Sequence, residues 1–205
     1  NSSKKSFDKP FLIAKSNLPE IKINLLHLFD TDNCISENFQ FSEIENLDID
    51  CDYYKIIKPE KIPFISYPYE WSFSQLKDAA LLTLRIQKAA MKYGMTLKDG
   101  SAFNIQFHNG HPIFIDTLSF EIYEEGQIWK PYKQFCQHFL APLALISKKD
   151  VRLNLLSKTF IDGIPIDLAA KLLPKTTFGN FGLMAHIHAH AKSQKHYENK
   201  DAKIK

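Results

Sequence analysis

The sequence predicts an α+β fold that is mainly helical, and three observations carry that prediction. An amphipathic stretch from about Ser74 to Tyr93 follows a capping signal, Asn109-Gly110 separates two short apolar runs, and most of the chain beyond Pro131 has helical texture. The chain is expected to divide into a reduced N-terminal part of short strands and loops (residues 1–66), a helical domain (67–197) and a charged tail or linker (198–205).

The N-terminal 52 residues mix Ser, Asn, Asp and Glu with short apolar pieces, Phe11-Leu12-Ile13, Ile23-Asn24-Leu25-Leu26 and Phe39-Gln40-Phe41, a pattern of short strands or turns joined by acidic loops. Tyr54 to Glu60 and Ile62 to Tyr67 read as extended because Pro59, Pro63 and Pro68 disfavour helix at the residues before them. Ser72 and Gln75 then form a capping box ahead of the long helix. Its apolar positions Leu76, Ala79, Ala80, Leu84, Ala90 and Met91, broadened by Leu81, Leu82 and Ile86, predict burial on more than one face, with Gly94 as C-cap.

A loop from Leu97 to Asn104 comes next. Ile105-Gln106-Phe107-His108 and Pro112-Ile113-Phe114-Ile115 flank Asn109-Gly110, whose residues tolerate the positive φ of a two-residue hairpin turn, so Asp116 should sit at the hairpin's exit. Helical texture continues over residues 131–146, 147–160, 166–173 and 181 to about 197.

Composition limits the function classes. With 44% hydrophobic residues, 16 Phe and 8 Tyr, the 205-residue chain can offset its ordering entropy without disulfides or a structural metal. The net charge of +3 gathers at the two ends (Lys4-Lys5 and Lys192 to Lys205) rather than on one stripe, which argues against a nucleic-acid footprint. Cys34, Cys51 and Cys136 form no C-x-x-C, and no apolar run approaches the roughly 20 residues of a bilayer span. A reducing cytoplasm, no membrane partner and no nucleic-acid partner are therefore expected.

Asp99, Asn104 and Asp116 are the candidate chemistry. Phosphotransferases place an Asp near the acceptor hydroxyl, an Asn on one metal ion and a second Asp on the metal bridging the phosphates. Asp99 and Asn104 are five positions apart, and the hairpin brings the chain back at Asp116, twelve further on. The spacing makes Asp99 a candidate catalytic base and Asn104 and Asp116 candidate magnesium and ATP ligands; the aromatic cluster of Tyr67 and Tyr69, beside Trp71, is a separate candidate pocket lining for a cofactor. Read singly, Asp99-Gly100 is a turn, Asn104 ends a loop, Asp116 is an exit-turn residue, and the aromatic residues pack over the long helix. His186, His188 and His190 have metal-ligand spacing on a helix, yet lack a nearby Cys or acidic residue and read as packed histidines; Cys136 reads as a small core residue.

The order of long helix, Asp-x-x-x-x-Asn loop, Asn-Gly hairpin, Asp116 and helices resembles the C-lobe of protein-kinase-like and aminoglycoside-phosphotransferase-like folds over Tyr67 to Phe160. Leu97-Lys98 stands where kinases carry His-Arg, Asp116-Thr117-Leu118 where they carry Asp-Phe-Gly, and the N-terminal part has no G-x-G-x-x-G.

A second resemblance covers Tyr54 to Tyr197. The runs from Ile62 to Ala80, Phe114 to Glu121 and Gln134 to Leu143 are similar to the N-terminal region of bacterial class I S-adenosylmethionine-dependent methyltransferase-like proteins, nodulation-protein-like members included. That resemblance implies an accessory or substrate-handling role for an unknown small molecule, with the downstream methyltransferase domain as partner. With seven Gly and no glycine-rich first turn after a strand, S-adenosylmethionine would bind that downstream domain rather than these residues. The competing reading is a divergent ATP- and magnesium-dependent small-molecule phosphotransferase or pseudokinase using Asp99, Asn104 and Asp116.

Overall fold

The computed structural model describes residues 11–14, 41–43, 53–59, 62–116 and 119–193. The chain divides between Phe64 and Ile65 into two compact units. In the first, β1 (Phe11–Ala14), β2 (Phe41–Glu43) and β3 (Tyr53–Pro59) make an antiparallel sheet of order β1-β3-β2, with β3 central. The apolar run Ile23 to Leu26 and the charged tail from residue 194 lie outside the described residues.

The second unit is α+β and mainly helical. A short 3₁₀ turn, Pro68–Glu70, leads to α1 (Phe73–Lys92), and the expected cap is present: Ser72 Oγ accepts from the Gln75 N–H at 3.3 Å while Gln75 Oε1 accepts from the Ser72 N–H at 2.9 Å. Gly94, at φ +67°, ends the helix in the left-handed region that a side chain would strain. The buried face differs from the apolar pattern. Leu81, Leu84 and Met91 are each at least 41% exposed, while Thr83 and Gln87 are buried, because both polar side chains find partners inside. Thr83 Oγ1 donates to the Ala79 carbonyl at 3.0 Å.

Gln87 orients the next strand. Its amide exchanges hydrogen bonds with the Thr96 hydroxyl (3.0 and 3.2 Å) and accepts the Leu97 N–H at 2.9 Å, tying α1 to β4 (Met95–Leu97). Among the described residues β4 pairs with a single strand in its antiparallel ladder, so alternate N–H groups face away from that partner; Gln87 supplies an acceptor for one of them. After a 3₁₀ turn at Ala102–Asn104 come β5 (Ile105–His108) and β6 (His111–Phe114), joined by Asn109 and Gly110 at φ +49° and +82°, as the hairpin signal predicts. β7 (Phe120–Ile122) then returns to pair antiparallel with β4, Leu97 opposite Phe120. The sequence predicts neither β4 nor β7, since three-residue strands have too few positions to show alternation and exist here through pairing across the hairpin.

Residues 132–148 form one helical run: α2 (Tyr132–Phe135), a π-helical turn (Cys136–Leu140) and α3 (Ala141–Lys148). The expected helix over 147–160 is broken at its start. Asp150 is extended and its carboxylate accepts the Arg152 N–H at 2.9 Å, capping a 3₁₀ turn (Val151–Leu155) that passes into α4 (Leu156–Thr159). α5 (Ile166–Leu172), a 3₁₀ turn (Lys175–Gly179) and α6 (Phe181–Leu183), continued by a π-helical stretch (Met184–Ala189), complete the fold. Leu145, Ile164, Ile166, Ala169, Leu183 and Ile187 form the apolar core between these helices. Among the described residues no helix is long and apolar enough to cross a membrane.

Trp71 joins the entry segment to the hairpin. It is 3% exposed, its indole N–H donates to Ser66 Oγ at 2.8 Å, its ring meets Phe107 edge-on at 5.1 Å, and the Ser66 N–H is held by Gln106 Oε1 at 3.1 Å. Gln87→Ala would leave the Leu97 N–H and the Thr96 hydroxyl without this partner, costing about 1–3 kcal/mol for each orphaned group. Urea unfolding of the variant should show a lower midpoint with an unchanged m-value.

Candidate functional site

The site grows from the strand pairing. β4 and β7 clamp the ends of a segment that contains the Asp99 loop, the hairpin and Asp116, and the Lys98 N–H donates to the Ser119 carbonyl at 2.7 Å to extend the clamp by one residue. The hairpin ladder extends likewise, because the Ile115 N–H donates to the Asn104 carbonyl at 2.8 Å. Asn104 and the residue before Asp116 are therefore backbone neighbours, as the chain reversal at Asn109-Gly110 requires.

Ser119 joins the two side chains. Asn104 Nδ2 donates to Ser119 Oγ at 3.4 Å, and the Ser119 hydroxyl donates to Asp116 Oδ2 at 2.5 Å, so Asn104 and Asp116 share one partner. Asn104 and Ser119 are buried, 9% and 3% exposed, and Asp116 is half-buried, which makes these bonds expensive to break. Ser119 is absent from the candidates that motif spacing supplies. Its signal is the spacing Asp116-x-x-Ser119, at which a hydroxyl can turn back on the carboxylate.

Asp99 begins the loop on the other side. Its Oδ1 accepts the Ser101 N–H at 2.8 Å, and Ser101 Oγ accepts the Phe103 N–H at 3.2 Å, two consecutive turns that set the loop's path. The loop backbone is held by the Gly100 N–H donating to Gln134 Oε1 at 2.8 Å. The hydrogen bond that Asp99 accepts thus stays within its own loop, at Ser101.

Tyr67 and Tyr69 stack face to face, centroids 5.4 Å apart and planes 9° from parallel, with Lys158 Nζ 6.0 Å from the centre of the Tyr69 ring. Their segment is tied to the 3₁₀ turn Val151–Leu155, where Asn154 Nδ2 donates to the carbonyls of Tyr69 (3.2 Å) and Trp71 (3.0 Å). The aromatic pair and the polar trio are thus held by different neighbours.

Two of the three histidines meet at Tyr132 and the third turns away. His186 Nδ1 bonds the Tyr132 hydroxyl at 2.6 Å, His190 stacks on the Tyr132 ring at 5.5 Å, and His188 turns inward to Thr177 Oγ1 (2.8 Å) under the Phe178 ring. Cys136 is 1% exposed and burial pushes its thiol up, the setting of an inert core thiol. Among the described residues no group of three or more His, Cys, Asp or Glu is placed to hold a metal ion. Asn104 and Asp116 offer one amide and one carboxylate, which falls short of a closed protein cage for a metal ion.

The chain is similar to the nodulation protein NoeA of Rhizobium meliloti (strain 1021), at 39% identity over 140 residues. The similar segment takes in 68% of this chain and 29% of NoeA, so the chain spans less than a third of that relative's length. No protein-family model matches the chain, and no solved structure matches it significantly.

The local chemistry makes Ser119 and Tyr132 the residues to probe. Ser119→Ala removes the shared partner of Asn104 and Asp116 and should lower stability by about 1–3 kcal/mol, read by urea unfolding. Burial, then the neighbouring Cys136, pushes the Tyr132 phenol from 10.0 up to about 12. The folded state therefore favours the neutral phenol: its contribution is complete below pH 10 and is lost as pH rises toward 12. Absorbance titration should show a late-titrating tyrosine that is lost in Tyr132→Phe.

Proposed function

We propose that this chain is a substrate-handling module of a larger, nodulation-type protein of the S-adenosylmethionine-dependent methyltransferase-like class, and that Asn104 and Asp116 hold its ligand. The observation that carries the reading is the 39% identity to NoeA over a segment that is only 29% of that protein, which leaves room for a catalytic domain elsewhere in such an architecture. The resemblance of the Ile62 to Ala80 and Phe114 to Glu121 runs to methyltransferase-associated regions supports it. The sheets of the described residues are antiparallel and of two or three strands.

S-adenosylmethionine titrated against this chain should leave its melting temperature unchanged. Tight binding of S-adenosylmethionine by this chain alone would overturn the division of labour.

A second reading has its own support. Helix, strand, Asp99 loop, hairpin, Asp116 and a strand that pairs back to the first is the order of a kinase C-lobe, and Asn104 and Asp116 meet at Ser119 inside it. On this reading the module binds ATP with magnesium, Asn104 and Asp116 taking the metal and Asp99 standing as base. Magnesium and ATP at about ten times Kd should raise the melting temperature by about 3–6 °C. Asp116→Ala should abolish that rise; no stabilisation at millimolar nucleotide, or stabilisation that survives Asp116→Ala, rejects the nucleotide.

A further inference from the structure

One face of the helical run beginning at Pro131 is turned against the Asp99 loop. Pro131, Gln134, Phe135 and His138 recur at the spacing i, i+3, i+4, i+7 that places residues on a common helix face. Each meets the loop or its surroundings. A Cβ on Gly100 would stand 3.2 Å from Pro131 Cβ, 3.3 Å from its carbonyl oxygen and 3.4 Å from Phe135 Cβ, so only the bare backbone approaches this closely without displacement. Gln134 Oε1 takes the Gly100 N–H at 2.8 Å, and the 8%-exposed His138 ring meets Phe103 edge-on at 6.1 Å.

The back of His138 is equally confined. A Cβ on Gly163 would lie 3.0 Å from His138 Cδ2 and 2.6 Å from Gln137 Cβ, and the Ile164 N–H donates to the Gln137 carbonyl at 3.0 Å. The imidazole is wedged between the Asp99 loop and the Gly163 turn. Burial lowers its proton affinity, and the carboxylates of Asp99 and Asp162, with a hydrogen bond to the Asp162 backbone, pull it back up.

We infer that Gln134 and His138 are positioning residues for Asp99. Gln134 fixes the backbone directly after the carboxylate, and His138 props the loop from beneath through Phe103. The π-helical turn at Cys136–Leu140 carries His138, and such turns are rare enough in helices to mark a site where local geometry is set for a neighbour. Gln134 and His138 hold Asp99 whatever the ligand, and their link to ligand binding rests on the nucleotide reading.

The test compares Gln134→Met, which keeps length and loses the acceptor, with Gln134→Glu, which keeps an acceptor oxygen. Amide hydrogen exchange at Gly100 and the affinity for magnesium and ATP are measured on both. Gln134→Met should speed Gly100 exchange by about 3–10-fold, the worth of one ordinary hydrogen bond, while exchange at Ile86 in α1 stays unchanged. Gln134→Glu should hold Gly100 at or below the wild-type rate. Nucleotide affinity should fall in Gln134→Met by a similar factor and return in Gln134→Glu. Gly100 exchange in Gln134→Met equal to wild type, or a loss that Gln134→Glu fails to rescue, overturns the inference. A wild-type chain that binds no nucleotide removes the nucleotide reading and leaves the Gly100 measurement to decide the positioning.

Discussion

The buried amide of Gln87 is the contact on which the arrangement depends. Met95 and Leu97 of β4 are fully buried, which supplies apolar area but little direction, and among the described residues β4 pairs with β7 alone. One side chain accepts a backbone N–H on the strand's open side and satisfies a hydroxyl beside it, converting a potential desolvation cost into orientation. With β4 fixed against α1, β7 has a template, and the chain between them has both ends anchored.

That anchoring explains why the polar trio can exist. Asn104 and Ser119 are buried, and buried polar groups are tolerated when their partners are already in place. The hairpin brings Asn104 and Ile115 into register, the clamp brings Ser119 alongside Lys98, and the side-chain bonds among Asn104, Ser119 and Asp116 arise from that backbone geometry. The aromatic pair Tyr67–Tyr69 belongs to a different set of supports, the 3₁₀ turn after Asp150 and α4.

Local signals in the sequence are the legible ones. The Ser72/Gln75 cap, the Asn109-Gly110 turn and the position of Asp116 beyond the hairpin are each encoded within a few residues and each is present. The hidden part is non-local. Leu84 and Met91 read as core by periodicity, yet the interior takes Thr83 and Gln87, because polar partners for them arrive from the helix's own previous turn and from Thr96. Gln134 escapes a reading of the sequence for the same reason, its bond to Gly100 spanning 34 positions, and of the two bonds of Ser119 only the one to Asp116 is local, the one to Asn104 spanning 15.

The π-helical turn within residues 132–148 has a consequence for how this segment tolerates change in length. It holds one residue more than an α-helix of the same rise, so the spacing of the face toward the Asp99 loop does not run on unbroken to Ala144 and Leu145. Removing one residue inside the turn would restore regular hydrogen bonding and leave both flanks on their neighbours, whereas removing one from the regular helix on either side would rotate that flank by roughly 100° against the other. The π turn is the place in this rod where chain length can change without turning its faces.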